Sequence, residues 1–269
     1  MPEGNIKINL GVNELQDSKS GLGKALLAEL VGNLLLNFFG CLSCVSLLEQ
    51  PAGTPPNIVL IAFTFGLVIF TSVQALGHVS GGHFNPAVTV GMLATGKVSI
   101  IRAVFYVVAQ CIGAISGSLI LKALTPADFQ GNLGLTTLNK HLTPVQGMGI
   151  EFFLGFVLVL VIFGVCDGNK PHAKAPAALA IGLTVALGHL AAVDFTGASM
   201  NPARTFGSAV VANIWTDHWV YWAGPSLGGL VAGLLYTYLF VAPSIGEYSP
   251  VLVEDKELKR LNKHDDNMA

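Results

Sequence analysis

Asn85-Pro86-Ala87 and Asn201-Pro202-Ala203 repeat one box at two places, each behind a Gly-His approach, Gly77-His78 and Gly188-His189. Asn is a favoured helix N-cap. Pro suits the first helical position, where its missing N–H would have no partner anyway. Both boxes therefore read as starts of short helices, over 85–95 and 201–211. At 1.5 Å per residue each reaches about 16 Å, half the thickness of a bilayer core. A helix start presents unpaired N–H groups and about half a positive charge. Two such starts inside an apolar chain need a reason to exist.

The surroundings are apolar. The 269 residues are 52% hydrophobic and 11% charged, where soluble domains carry about 25% charge. Gly is abundant, at 31 residues, as suits closely packed membrane helices. Six runs are long enough to span, near 24–48, 58–78, 103–124, 147–166, 176–193 and 219–241. The fold class expected is an all-α membrane protein with six transmembrane helices and two re-entrant half-helices. The formal net charge of −2 gives no pointer to nucleic acid, and no nucleic-acid partner is expected. The polar first twenty residues lack a signal-peptide pattern.

The order span, span, half-helix, span occurs twice, over 24–124 and 147–241. Glu29 opens the first span of one half and Glu151 that of the other. Three spans is an odd number, so the second half enters from the opposite face and the repeat is inverted. The two half-helix N-termini then meet near the midplane. The halves are joined by a connection over 125–146. Polar tails occupy 1–23 and 242–269, and 254–263 reads as a solvated tail segment. With the N-terminus inside, eleven of the fourteen Lys and Arg fall on the cytoplasmic side. Only Lys122 and Lys140 lie outside, and Arg204 sits in the second re-entrant segment. That bias places both termini in the cytoplasm.

Non-helical backbone survives at membrane depth only where protein or a water-filled cavity satisfies it. The approaches at 79–84 and 194–200 are such backbone, and so are candidates to line a polar path. As N-caps, Asn85 and Asn201 use the side-chain oxygen on the helix, which leaves the amide NH₂ to donate to a passing water. Arg204 is costly at this depth and points to an aqueous cavity. His189, taken alone, reads as a packed helix residue. Glu29, Glu151 and Gln110 read as supports for the re-entrant loops, with a proton relay as the alternative for the two carboxylates. Gly113 with Gly117, and Gly224 with Gly228, are small-x-x-x-small patterns suited to close crossing. Cys41 and Cys44 have C-x-x-C spacing. Buried hydrophobes are the first reading of them, and a redox or metal role the alternative.

With these motifs the chain resembles the aquaporin (major intrinsic protein) family over about 24–241. It is most similar to animal water-selective members, in the segments from Gly77 to Thr89 and from Thr196 to Arg204. The resemblance implies a right-handed bundle and a homotetramer with one pore per subunit. It implies a selectivity filter of Phe65, His189, Ala198 and Arg204, too narrow for much more than one water. Glycerol-conducting relatives usually place a small residue at His189 and an Asp after the arginine, where Thr205 stands here. Ala198 occupies a position that relatives often fill with Cys. The function expected is passive, water-selective permeation through the lipid bilayer of the plasma membrane. No enzyme activity, cofactor or metal is expected. A channel for glycerol, urea or another small neutral solute is the first alternative, and a junctional or adhesive membrane protein the second.

Overall fold

The computed structural model describes residues 8–16, 21–49 and 54–243. Most of the two polar tails, including 254–263, lies outside them. A short helix α1 (Asn13–Gln16) precedes α2 (Leu22–Leu42), α3 (Ile58–Ser80) and the half-helix α4 (Pro86–Ala94). The chain continues through α5 (Ile100–Leu124), α6 (Pro144–Val165), α7 (Ala177–Thr196), the half-helix α8 (Pro202–Ala212) and α9 (Val220–Leu235). A π-helical turn over Tyr236–Phe240 extends α9. Six helices are long and apolar enough to cross a membrane: α2, α3, α5, α6, α7, and α9 with its extension. Many large side chains on them, including Leu27, Val59, Leu67, Phe153 and Leu187, are more than half exposed, as a lipid-facing surface requires.

Hydrophobic burial does not hold such helices together in lipid, because the tails outside are as apolar as Leu. Close backbone approach replaces it. A Cβ on Gly113 would strike the Leu30 carbonyl, and one on Gly117 the Leu34 carbonyl, so α5 lies directly on α2. A Cβ on Gly228 would strike the Phe152 carbonyl, and one on Gly224 would come within 2.8 Å of the Met148 carbonyl. That seats α9 on α6. Gly66 and Gly182 face each other, a Cβ on either falling 2.6 Å from the other's carbonyl oxygen, and they join α3 to α7 across the two halves. The half-helices cross over, with α4 resting on α9 and α8 on α5.

The repeat can be followed residue by residue. Tyr106 and Tyr221 each lie seven positions before the glycine that meets α2 or α6, Gly113 and Gly228. The tyrosine hydroxyls donate to the last carbonyls of α3 and α7, at Ser80 (2.7 Å) and Thr196 (2.8 Å). In this register Gln110 corresponds to Pro225; counted from Glu29 and Glu151, Asn33 corresponds to Gly155. Two buried polar side chains in one half are replaced in the other by close packing, since a Cβ on Gly155 would come 2.6 Å from the Pro225 Cα.

Two contacts tie chain ends to the bundle. Asn9 and Leu10 carbonyls accept from the Ile100 and Ile101 N–H groups at the open start of α5. Glu14 accepts from Ser99 (2.6 Å) and pairs with Arg102. At the far end Asp167 accepts from the Tyr236 hydroxyl (2.9 Å), the Ala242 N–H (2.8 Å) and the Asn169 N–H (2.9 Å). Burial acts to raise its pKa, but these hydrogen bonds outweigh it and hold the carboxyl below the ordinary 3.8. A depressed carboxylate stabilises above its unfolded pKa and loses that contribution as pH falls through the folded value.

Replacing Gly113 by Ala should lower the apparent Tm in detergent, in line with overpacking costs of about 1–3 kcal/mol. Gly149→Ala, where a Cβ meets nothing within 4 Å, should leave the Tm unchanged or slightly raised. The clamp at Asp167 should keep 236–243 protected from proteolysis at pH 5 to 8, and Asp167→Asn should expose that segment at pH 7.

Candidate functional site

The site lies where α4 and α8 begin. Asn85 caps α4 by accepting from the Ala87 N–H (2.8 Å). Asn201 caps α8 by accepting from Ala203 (3.0 Å) and Arg204 (3.2 Å). Each side-chain amide also reaches across. Asn85 Nδ2 donates to the Met200 carbonyl and Asn201 Nδ2 to the Phe84 carbonyl, both at 2.8 Å. The sequence reading left these amides wholly free. The structure engages one of the two N–H bonds of each, and both asparagines line the cavity between them.

These carbonyls are available because of an unusual backbone turn. Phe84 and Met200 have φ of 47° and 56°, in the left-handed region that non-glycine residues rarely occupy. Surrounding hydrogen bonds impose it. On one side Glu29 Oε1 accepts from Ser80 Oγ (2.7 Å) and the His83 N–H (2.9 Å). Its Oε2 accepts from the Phe84 N–H and Gln110 Nε2, both at 2.7 Å. On the other side Glu151 Oε1 accepts from Thr196 Oγ1 (2.6 Å) and the Ser199 N–H (2.9 Å), and its Oε2 from the Met200 N–H (2.9 Å). Each carboxylate thus gathers the N–H groups of one re-entrant loop. Pro225, standing where Gln110 has its counterpart, offers Glu151 no fourth donor.

A second group lies along the path from this centre. The rings of Phe65 and His189 stack at 4.3 Å between centroids, 20° from parallel. The Arg204 guanidinium sits 4.9 Å from the centre of the Phe65 ring. Arg204 is 2% exposed, and its Nη1 donates to Ser208 Oγ at 3.3 Å. His189 Nδ1 stands 2.9 Å from the Val185 carbonyl. A carbonyl only accepts, so Nδ1 carries the hydrogen, and in the neutral ring Nε2 keeps a lone pair. Neither His189 Nε2 nor Arg204 Nε has a partner within the chain. Ala198 is fully buried in the left-handed region (φ 49°), its N–H donating to Thr196 Oγ1 (3.1 Å), and it does not line the cavity that His189 and Arg204 share.

A narrow cavity of about 30 Å³ is lined by residues of both groups, room for about two waters. Its polar lining comes from Asn85, Asn201, Ser199, His189 and Arg204, and its apolar lining from Leu36, Ile69, Val73, Leu158, Ile181 and Val185, with the Phe65 ring. Beyond Arg204 a wider cavity of about 210 Å³ opens, lined in part by Cys44, Asn132, Leu135 and Thr137. The 125–146 connection crosses here, and its Thr136 hydroxyl hydrogen-bonds that of Thr205 (2.7 Å). No group of His, Cys, Asp or Glu among the described residues could hold a metal.

Several supporting residues escape sequence reading. Asn37, fully buried on α2, donates to the Arg204 carbonyl and to Ser118 Oγ, both at 3.0 Å. Thr89 accepts from Gln110 (3.1 Å), and its hydroxyl donates to the Asn85 carbonyl (3.0 Å). A buried polar residue on an apolar helix was the available signal in Asn37, but nothing nearby in sequence names its partner.

The Major intrinsic protein family profile matches residues 15–236. Aquaporin-4 of Mus musculus is 48% identical over 217 residues, covering 81% of this chain and 67% of that protein. Aquaporin-5 of Sus scrofa is 48% identical over 223 residues, covering 82% and 83%. The X-ray structure of the aquaglyceroporin from Plasmodium falciparum superposes with a TM-score of 0.72 at 22% identity. It covers 81% of this chain and 96% of that one, and so bears on the fold. Replacing Glu151 by Gln would turn an NH₂ group toward N–H donors. The cost should be about 1–3 kcal/mol for the unsatisfied groups, read as a lower Tm than that of the wild type.

Proposed function

The chain belongs to the major intrinsic protein family, and from that premise we propose that it is a passive water channel driven by osmotic gradients. The observation that carries the reading is the narrow cavity that joins the centre at Asn85 and Asn201 to His189 and Arg204, lined by these few polar groups among apolar side chains. Water passing it meets a few polar partners in an otherwise apolar lining, so it moves without leaving a fully formed hydrogen-bond shell behind.

At the narrow end the Phe65 and His189 rings set the width. Arg204 donates to the passing oxygen and His189 Nε2 accepts from its hydrogen. Width and lining donors of this kind are the account already given for aquaporin-type pores. At the midplane the free N–H bonds of Asn85 and Asn201 both donate to one water oxygen. Its lone pairs are then occupied and its hydrogens point away along the file. A proton arriving along the file finds no lone pair to join. The N-termini of α4 and α8 add partial positive charge at the same point and repel cations. Glu29, Glu151 and Gln110 hold the loops that aim these groups.

The reading is of a channel and not an enzyme, since the polar groups at the site are engaged in holding backbone and lining the path. We place both termini in the cytoplasm, on the cation bias of the loops, and the protein in the plasma membrane. We further assign it a homotetramer with one pore in each subunit, on its likeness to the aquaporins.

Proteoliposomes holding the purified chain should shrink at least several-fold faster than empty ones under an osmotic gradient, by stopped-flow light scattering. Glycerol uptake should stay at the level of empty vesicles, and glycerol flux comparable to the water signal would refute water selectivity. The double variant His189→Ala with Arg204→Val removes both the constriction and its polar lining, and should admit glycerol or urea. Unchanged solute permeability in that variant would remove both residues from the filter.

A further inference from the structure

The described residues include four free cysteines, Cys41, Cys44, Cys111 and Cys166, and the channel reading uses none of them. Cys41 is fully buried, its Sγ 3.9 Å from the Gly134 carbonyl. Cys111 lies within α5 and lines neither pore cavity. Cys166 is exposed at the opposite end of the bundle from Arg204, at the C-cap of α6. Cys44 is different. It is half-buried past the end of α2, makes only a weak contact with the Gly40 carbonyl (3.7 Å), and lines the wide cavity of about 210 Å³. Arg204 lines that same cavity. This side chain is 98% buried by its 2% exposure, and its Nε has no partner in the chain.

A thiol and a buried guanidinium with one unpartnered nitrogen thus line one chamber, and the same Arg204 also lines the narrow cavity. We propose that Cys44 is a covalent modification site for small anionic thiol-reactive compounds, whose attachment there blocks the approach to Arg204. The anion is drawn by the guanidinium and the sulfur by the thiol. With a sulfonate-bearing methanethiosulfonate, the Cys44 thiolate attacks the sulfenyl sulfur. A new S–S bond forms as the S–SO₂ bond breaks, methanesulfinate leaves with the electron pair, and the thiol proton goes to water. Desolvation pushes the thiol up to about 11, so little thiolate is present at neutral pH. A methanethiosulfonate, far more reactive than an ordinary disulfide, is therefore the appropriate probe. The side from which it acts rests on the orientation proposed above.

The experiment applies 2-sulfonatoethyl methanethiosulfonate outside cells expressing the full chain, reading osmotic permeability and, by mass spectrometry, the adduct at Cys44. The expected result is an adduct at Cys44 and at least a fivefold fall in permeability, reversed by dithiothreitol. The Cys44→Ser variant should keep its permeability under the reagent; Cys41→Ser, Cys111→Ser and Cys166→Ser should still be blocked. The trimethylammonium analogue should react several-fold more slowly. No adduct at Cys44, or an adduct without loss of permeability, overturns the proposal. Block and adduct that require delivery from the cytoplasm overturn the orientation and support the site. If the wild type conducts no water, the channel reading fails, and absence of the adduct alone then overturns the site.

Discussion

Every N–H and C=O of a chain inside hydrocarbon needs a partner, and a chain that leaves the helix there must find one elsewhere. Glu29 and Glu151 meet that demand. Each is a buried carboxylate on a spanning helix, and each collects the N–H groups of a loop that would otherwise face carbon. The carboxylates allow Phe84 and Met200 to keep a backbone conformation that side chains disfavour. That conformation turns two carbonyls toward the opposite Asn. The cavity, its polar lining and the facing helix starts all follow from it.

Close packing by glycine serves the same end. With α5 on α2 and α9 on α6, the buried carboxylates come within reach of the loops they hold, and Tyr106 and Tyr221 within reach of the carbonyls ending α3 and α7. A bundle separated by larger side chains would leave these polar groups short of partners. The two halves reach the result by different chemistry, with Gln110 and Asn33 in one and Pro225 and Gly155 in the other.

Much of this was legible in the sequence. The Asn-Pro pairs mark helix starts by local chemistry, and the short runs after them cannot span. Arg204 stands out as a charge with no inexpensive place in lipid. The pairing of Asn85 with Met200 and of Asn201 with Phe84 was not legible, because it joins residues more than a hundred positions apart. Nor was the left-handed turn at Phe84 and Met200, since nothing in a Phe or a Met announces positive φ. The tyrosine hydroxyls escaped for a similar reason: an aromatic residue in an apolar helix signals packing, and only the fold shows that its tip carries a hydrogen bond.

The reciprocal bonds between Asn85 and Met200 and between Asn201 and Phe84 make the two halves interdependent. Neither half of the chain can complete its own centre, because the acceptor for each amide belongs to the other. Loss of either amide therefore frees a carbonyl in the opposite half, so damage to one box is felt at both.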